Sequence, residues 1–410
     1  MTVRLLFIDD EISVLNSIRR LLSRRCKDWH IITTSDPFQG LEILSKQQID
    51  VLVSDIQMPQ MQGDKVLEIV LQKYPTVIRI VLSAHADSEA VTRALSISHQ
   101  YISKPFDSDN FIQMIKDTVS LRNELGNHSL IEKVNSLDSL PAMPETYRQI
   151  MSALNNPDVS IEEIAALISL DISLTSKILQ VINSAYFSMP KTVENIAEAV
   201  TYLGLDVVKS LCITNNLFGH YQDMKKSGLS HKNLLTSAIR VGNIAKHVAS
   251  HLTKNNIMAS NAQLSGFLHN IGMVILSAVF PEQYHQLLEE YQKTNQNFLA
   301  LEACQFGTNH TLVGAYLLQL WAIPMPIIQA QAYLYNPKYY LRLSNNFEVT
   351  PLTCVHIAKA VEHYEFKTRY YELSNYDEIY LKKISLDPSL DKYIEMSASL
   401  IEKEKSDTNE

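Results

Sequence analysis

The sequence predicts two units of different class: an α/β unit with a parallel sheet over residues 1–120, and an all-α unit after it. Three observations carry this. Strand-type and helix-type segments alternate five times within the first 120 residues, the pattern of a parallel sheet covered on both faces by its connections. From Leu140 onward strand signals fade and helical periodicity dominates. And 410 residues are too many for one ordinary core, so two or three domains are expected.

The elements of the first unit follow in order. Residues 3–8 (VRLLFI) are an apolar run of strand type, and Asp9, Asp10 and Glu11 follow at once. Val14, Leu15, Ile18, Leu21 and Leu22 then recur at helical spacing. Residues 30–34 predict a second strand and residues 37–44 a helix. The run VLVSDIQMP at 51–59 is the strand the unit is built around. It is β-branched and apolar, so it belongs in the middle of a sheet. It ends on Asp55, and Pro59 closes it because proline has no N–H for a ladder. Residues 63–71 predict a helix, 78–82 a strand ending at Ser83, and 90–97 a helix. Residues 100–103 are a last short strand before Lys104 and Pro105. Residues 107–119 close the unit as a helix, with Phe111, Ile112, Ile115 and Val119 inward.

Parallel strands put their C-terminal ends on one edge, where open α/β sheets keep their ligand crevices. Asp9, Asp10, Asp55, Ser83 and Lys104 all fall there. A lone Asp at a strand end is ordinarily a cap or turn residue, and Asp9, Asp10 and Glu11 alone would pass for a solvated helix start. The set together is chemistry. Three carboxylates repel unless a cation holds them, and hard oxygen donors of high negative charge suit Mg²⁺. A lysine neutralises a phosphoryl group as a point charge, and a small hydroxyl hydrogen-bonds one of its oxygens. The reaction these groups fit is attack of a carboxylate on phosphorus to give an aspartyl phosphate.

Residues 1–120 resemble a response-regulator receiver domain, the flavodoxin-like partner of sensor histidine kinases, through the motifs FIDDE, VSDIQMP, VLSAHAD and YISKPF. The resemblance implies a five-stranded parallel sheet with Asp55 as the phosphoryl acceptor. It implies Asp10 and Asp55 as direct Mg²⁺ ligands, Asp9 acting through water, and the backbone carbonyl of Gln57 completing the set. Ser83 and Lys104 resemble the pair that reads the phosphoryl group, and Tyr101 the aromatic switch that turns inward with it.

Residues 121–137 read as a linker. It is polar with spaced apolar residues and fits an extension of the last helix, broken near Gly126 and Asn127. Pro141 and Pro144 mark a new start. In the second unit, Ser160 with Glu163 predicts a capping box before Ile164, Leu167 and Ile168. Val193, Ile196, Ala197, Val200 and Leu203 form an apolar stripe, with Gly204 just past its end.

The segments LPAMPETY, DISLTSKILQVINSAYF, IAEAVTYLGLDVVKSL, GFLHNIGMVIL and FGTNHTLVGAYLLQLWAIP together resemble an HDOD domain. This is a relative of the HD-type metal phosphohydrolases that usually lacks their catalytic set. The HD pair here reads His269 and Asn270, the first His position reads Thr236, and no His stands near Tyr333, Leu334 and Tyr335. A neutral amide binds a divalent metal far more weakly than a carboxylate. His269 and His310 are therefore expected to be isolated, hydrogen-bonded core residues. The Asn and Ser of the NSAYF loop at 183–187 are expected to cap helix ends.

The expected layout is a receiver at 1–120, a linker at 121–137, an HDOD domain at 138–340, and a C-terminal helical extension at 341–410, disordered from Glu402. The resemblances imply a phosphorylation-dependent regulator with Mg²⁺ as its cofactor. A sensor histidine kinase or phosphotransfer protein would feed it, and a non-enzymatic output would act through a protein partner, a cyclic-di-GMP enzyme being one candidate, or through a homodimer. The alternative is a degenerate HD-GYP-like regulator of, or hydrolase for, cyclic-di-GMP, although the Gly-Tyr-Pro signature is absent. The net charge of −8 argues against gripping nucleic acid by bulk charge. Cys26, Cys212, Cys304 and Cys354 are scattered and fit a reducing compartment, with neither a disulfide frame nor a zinc ribbon. Acid comes too early at the N-terminus for a signal peptide, and no run reads as a membrane span, so a cytoplasmic protein is expected.

Overall fold

Strands β1 (Arg4–Ile8), β2 (His30–Thr34), β3 (Val51–Asp55), β4 (Ile78–Ser83) and β5 (Gln100–Ser103) pair in parallel in the order β2-β1-β3-β4-β5. They belong to a computed structural model. It describes residues 3–83, 97–104, 106–125, 159–170, 193–205, 227–294, 296–320, 323–344, 347–368 and 376–407, with isolated positions between 149 and 212. The chain divides into two units, one of residues 1–142 with 318–322 and the other of residues 143–317 with 323–410.

Helices α1 (Ile12–Arg25), α2 (Pro37–Lys46), α3 (Gly63–Lys73) and α4 (Ser108–Leu125) flank the sheet. Strand side chains alternate between faces, and the sequence supplies apolar residues for both. Leu5, Phe7, Val51, Val53, Ile78 and Ile80 form one core with Leu15, Ile18 and Leu22 of α1 and Phe111, Ile115 and Val119 of α4. Leu6, Ile8, Leu52 and Val81 form the other with Leu44 of α2 and Val66, Leu67 and Val70 of α3. Each such side chain contributes about 1.5–3 kcal/mol by leaving water. Asp36 caps α2, its carboxylate accepting from the Phe38 amide at 2.8 Å, with Pro37 at the first helical position. At the N-terminal edge of the sheet, Asp50 accepts from the Arg4 amide at 2.8 Å and from the Arg122 guanidinium. The closing helix is thereby tied to β1 and β3.

The second unit is helical throughout its described elements. In chain order these are α5 (Ile161–Ser169), α6 (Ile196–Leu203), α7 (His231–Thr253), α8 (Asn256–Leu268), α9 (Ile271–Val279), α10 (Pro281–Thr294) and α11 (Phe298–Phe306). There follow α12 (His310–Leu320), α13 (Met325–Tyr333), α14 (Pro337–Ser344), α15 (Pro351–Phe366), α16 (Glu378–Lys383) and α17 (Leu390–Asp407). Ser160 and Glu163 make the expected capping box, and Gly204 ends α6 with φ 78. The core is built where α7, α8 and α15 meet: Val241, Ile244 and Val248 pack with Ala259 and Ala262 and with Val355, Ala358 and Val361. Two glycines allow the α7–α8 approach, since a Cβ on Gly266 would sit 2.5 Å from the Gly242 Cα.

Two expectations are corrected. Asn256–Val279 is long and apolar enough to cross a membrane by length and composition, although the sequence had suggested no such run; 83% of its 18-residue apolar window is buried inside the protein, as core helices are. The disorder expected from Glu402 gives way to helix α17, which runs to Asp407. Ile401 is buried, and Lys405 bonds the Glu365 carboxylate of α15 at 2.6 Å, which ties the end down. Residues 408–410, most of the helix expected at 90–97, the linker beyond Leu125 and the NSAYF loop lie outside the described residues.

Candidate functional site

The sheet register brings the acids together. Ile8 pairs with Ser54, so Asp9 and Asp55, the next residues on each strand, stand side by side. One carboxylate oxygen from each of Asp9, Asp10 and Asp55 lies within 4.8 Å of the others, the sole cluster of this kind among the described residues. Lys104, just past β5, reaches back across the edge. Its ammonium donates to Asp9 Oδ2 at 2.6 Å and to Asp55 Oδ2 at 2.7 Å. The remaining oxygens are held by backbone: Glu11 N donates to Asp9 Oδ1 at 2.9 Å, and Ile56 N to Asp55 Oδ1 at 2.6 Å.

Three carboxylates face one ammonium, so the formal charge is −2 (−3 and +1). Asp9 is 3% exposed, and burial holds its carboxyl above the ordinary range despite Lys104. Burial works against the Lys104 ammonium too, but hydrogen bonds to Asp55 and Asp9 outweigh it and raise its pKa. A crevice of hard oxygens, short of positive charge, fits a small divalent cation beside the lysine.

Gln57 lies in the exposed turn after β3, two residues beyond Asp55. The backbone of Ser83 lies one residue beyond Leu82, the partner of Asp55, and Tyr101 pairs with Val81. The side chains of Ser83 and Tyr101 lie outside the described residues.

Sequence reasoning missed Gly63. Its amide donates to the Ile56 carbonyl at 2.9 Å, and a Cβ there would sit 1.9 Å from the Asp55 carbonyl oxygen. Only glycine lets α3 start against the Asp55 backbone. The signal was present, a glycine shortly after β3 at the first residue of the expected helix.

In the helical unit, Thr236 and Asn270 line one cleft with Tyr335, Lys359 and Glu362. Asn270 Nδ2 donates to the Leu234 carbonyl at 3.3 Å. His269 and His310 are fully buried. His269 Nδ1–H donates to the Gly266 carbonyl at 2.7 Å, and burial, with the Lys359 charge, keeps the ring well below its usual pKa. His310 is not isolated. Its Nδ1–H donates to Glu302 Oε2 at 2.6 Å, and Tyr284 donates to the other Glu302 oxygen at 3.0 Å. Lys359 and Glu362 were also missed; their signal was a lysine and a glutamate three residues apart in a largely apolar helix.

Residues 5–116 match the family model of the response regulator receiver domain, and residues 140–337 that of the HDOD domain. Among curated proteins, the chain is 30% identical over 200 residues to an uncharacterized protein of Treponema pallidum (strain Nichols), covering 49% of this chain and 38% of that protein. It is 29% identical over 163 residues to the DNA-binding transcriptional regulator NtrC of Proteus hauseri, covering 38% of this chain and 33% of NtrC. The chain thus spans well under half the length of either relative. Among solved structures, an HDOD domain protein of unknown function from Geobacter sulfurreducens is similar in fold, with TM-score 0.54 at 21% identity, over 71% of this chain and 97% of that one.

This layout is that of a response regulator of two-component signalling. The chain carries an N-terminal receiver domain and a C-terminal HDOD domain.

Proposed function

We propose that the chain is a phosphorylation-dependent response regulator in which Asp55 accepts a phosphoryl group and the HDOD domain is a non-catalytic output. The observation that carries this is the bridge of Lys104 between Asp9 and Asp55 inside a three-carboxylate crevice. In the reaction, one Asp55 oxygen bonds to phosphorus as the donor's phosphorus–nitrogen bond breaks, and the electron pair leaves with the donor imidazole. Lys104 then pairs with a phosphoryl oxygen in place of one carboxylate. Asp9, Asp10, Asp55 and the Gln57 carbonyl would hold Mg²⁺, which when bound offsets charge on the transferring group. Ser83 would read the phosphoryl group with Lys104, and Tyr101 would act as the switch.

A protein donor has a place to dock. A groove of about 390 Å³ beside Lys104 is lined by Val14, Ile18, Leu21, Phe106 and Phe111, and Ile12, at the start of α1, is 63% exposed. At the HD positions Thr236 and Asn270 offer no carboxylate, which supports an output through protein contact.

Intact-mass analysis after incubation with acetyl phosphate and Mg²⁺ tests this reading. The wild type should gain one phosphoryl group and Asp55→Ala none. No gain in the wild type, or an equal gain in both, would overturn it.

A further inference from the structure

The exposed face of α1 carries more positive charge than its neighbours offset. Between Ile12 and His30 stand five cations, Arg19, Arg20, Arg24, Arg25 and Lys27, and one carboxylate, Asp28. The balance is +4 (+5 and −1) in a chain of net charge −8. Arg25 pairs with Asp109. Arg19, Arg20, Arg24 and Lys27 are exposed and have no ion-pair partner among the described residues.

Helix physics accounts for part of this. Cations in the last turn offset the helix dipole, which covers Arg24 and Arg25. Arg19 and Arg20 stand more than a turn before the end, beyond that effect. Like charges at positions 20 and 24 also repel, so the helix bears a small cost for carrying both. The groove beside Lys104 gives the pair a role. Ser17 and Leu21 line it, and Arg20 and Arg24 stand three residues on from each, on its rim. Since α1 starts at the acid crevice, the groove runs from Lys104 at one end toward these arginines at the other, over the apolar floor of Val14, Ile18 and Phe106. An apolar floor with a charged rim is the anatomy of a protein interface.

We propose that this rim selects an acidic donor, a protein whose docking face is an apolar ridge flanked by carboxylates, a reading that rests on Asp55 taking its phosphoryl group from a protein. The ridge seats against Val14, Ile18 and Phe106, and the donor's carboxylates meet Arg20 and Arg24. The floor supplies contact area, while the rim steers the encounter and sets its register. A donor with a basic face is turned away by the same charges. Magnitudes argue against two other partners. A nucleic acid is held through roughly 6–10 phosphate contacts, and four free cations fall short of that in an acidic chain. A lipid surface does not enter a groove, and charge without an inserted apolar anchor holds it weakly.

Phosphotransfer profiling of the full-length protein tests it. Each purified histidine kinase of the source organism is autophosphorylated with labelled ATP and mixed with the chain, and the initial rate of label transfer is read. Transfer from the fastest kinase should slow at least ~10-fold between about 0.05 M and about 0.5 M salt. It should slow at least ~10-fold in the double variant Arg20→Glu, Arg24→Glu and stay within about threefold of wild type in Arg20→Lys, Arg24→Lys, which keeps the charge. An unchanged urea midpoint in both variants separates docking from folding. Wild-type rates in the glutamate pair, or equal slowing in the lysine pair, would overturn the proposal. Transfer from none of the kinases, with acetyl phosphate still labelling the wild type, would overturn it and leave Asp55 as acceptor; failure of both would overturn both. A mixed-sequence DNA duplex that binds at about 0.15 M salt and is released by the glutamate pair would also overturn it, in favour of a nucleic-acid partner.

Discussion

Gly63 and Asp55 form one unit of structure. The Gly63 Cα is pressed against the Asp55 carbonyl, and there is no room for a methyl group. Gly63→Ala should cost about 1–3 kcal/mol or more and slow phosphoryl uptake, because the backbone that must shift is the acceptor's own. Urea denaturation and acetyl phosphate labelling read both effects. A stable variant that labels normally would contradict the packing argument. At His356 the ring is fully buried and both nitrogens are used in the neutral form. Nδ1–H donates to the Leu334 carbonyl at 2.9 Å, and Nε2 accepts from the Asp377 amide at 2.9 Å. Burial lowers its pKa to about 4, against smaller opposing effects of the Leu334 carbonyl and Asp377. The unfolded chain takes up this proton near pH 6.5 and the folded one only near pH 4, so stability is full at neutral pH and falls as pH drops through that window. The helical unit should lose roughly 2 kcal/mol between pH 7 and pH 5 from this group, and His269 acts in the same direction. The urea midpoint should drop accordingly, and His356→Gln should flatten the dependence. The acceptor crevice was legible at this scale because its residue types stand at strand ends in a fixed order. Gly63, Lys359 and Glu362 were not, since their roles come from what packs against them.

At the scale of elements, α4 is fixed to the sheet at both ends by different means. Phe111 and Ile115 pack into the core, while Arg122 reaches the Asp50 carboxylate and carbonyl. Their side chains are 12% and 19% exposed, so removing one partner strands the other with little solvent. Arg122→Ala should destabilise the receiver by about 1–3 kcal/mol, read as a fall in its denaturation midpoint; a change under about 0.5 kcal/mol would place the pair with ordinary surface bridges. The described strands and helices of the first unit could be read from the sequence because β1 and β3 carry apolar runs for both faces and each helix carries one stripe. The course of α17 could not. It depends on Ile401 and on the Lys405 bond to Glu365, a contact between residues 40 apart in the chain. The apolar window of α8 and α9 was passed over for a related reason: composition alone does not distinguish a core helix from a membrane helix, and burial does.

At the scale of the whole molecule, the two domains divide the work. The receiver supplies a three-carboxylate crevice, and the HDOD domain supplies a helical surface with no carboxylate at Thr236 or Asn270. This division was legible because periodicity changes from strand–helix alternation to helices near Leu140. On the proposed function, Asp55, and not its acidic neighbours, takes the phosphoryl group. Treating the acetyl phosphate-labelled protein with borohydride and mapping its peptides tests this most directly, since reduction converts an aspartyl phosphate to homoserine in place. Homoserine at position 55 alone is the predicted result. Homoserine at position 9 or 10, or at none of the three, would contradict it.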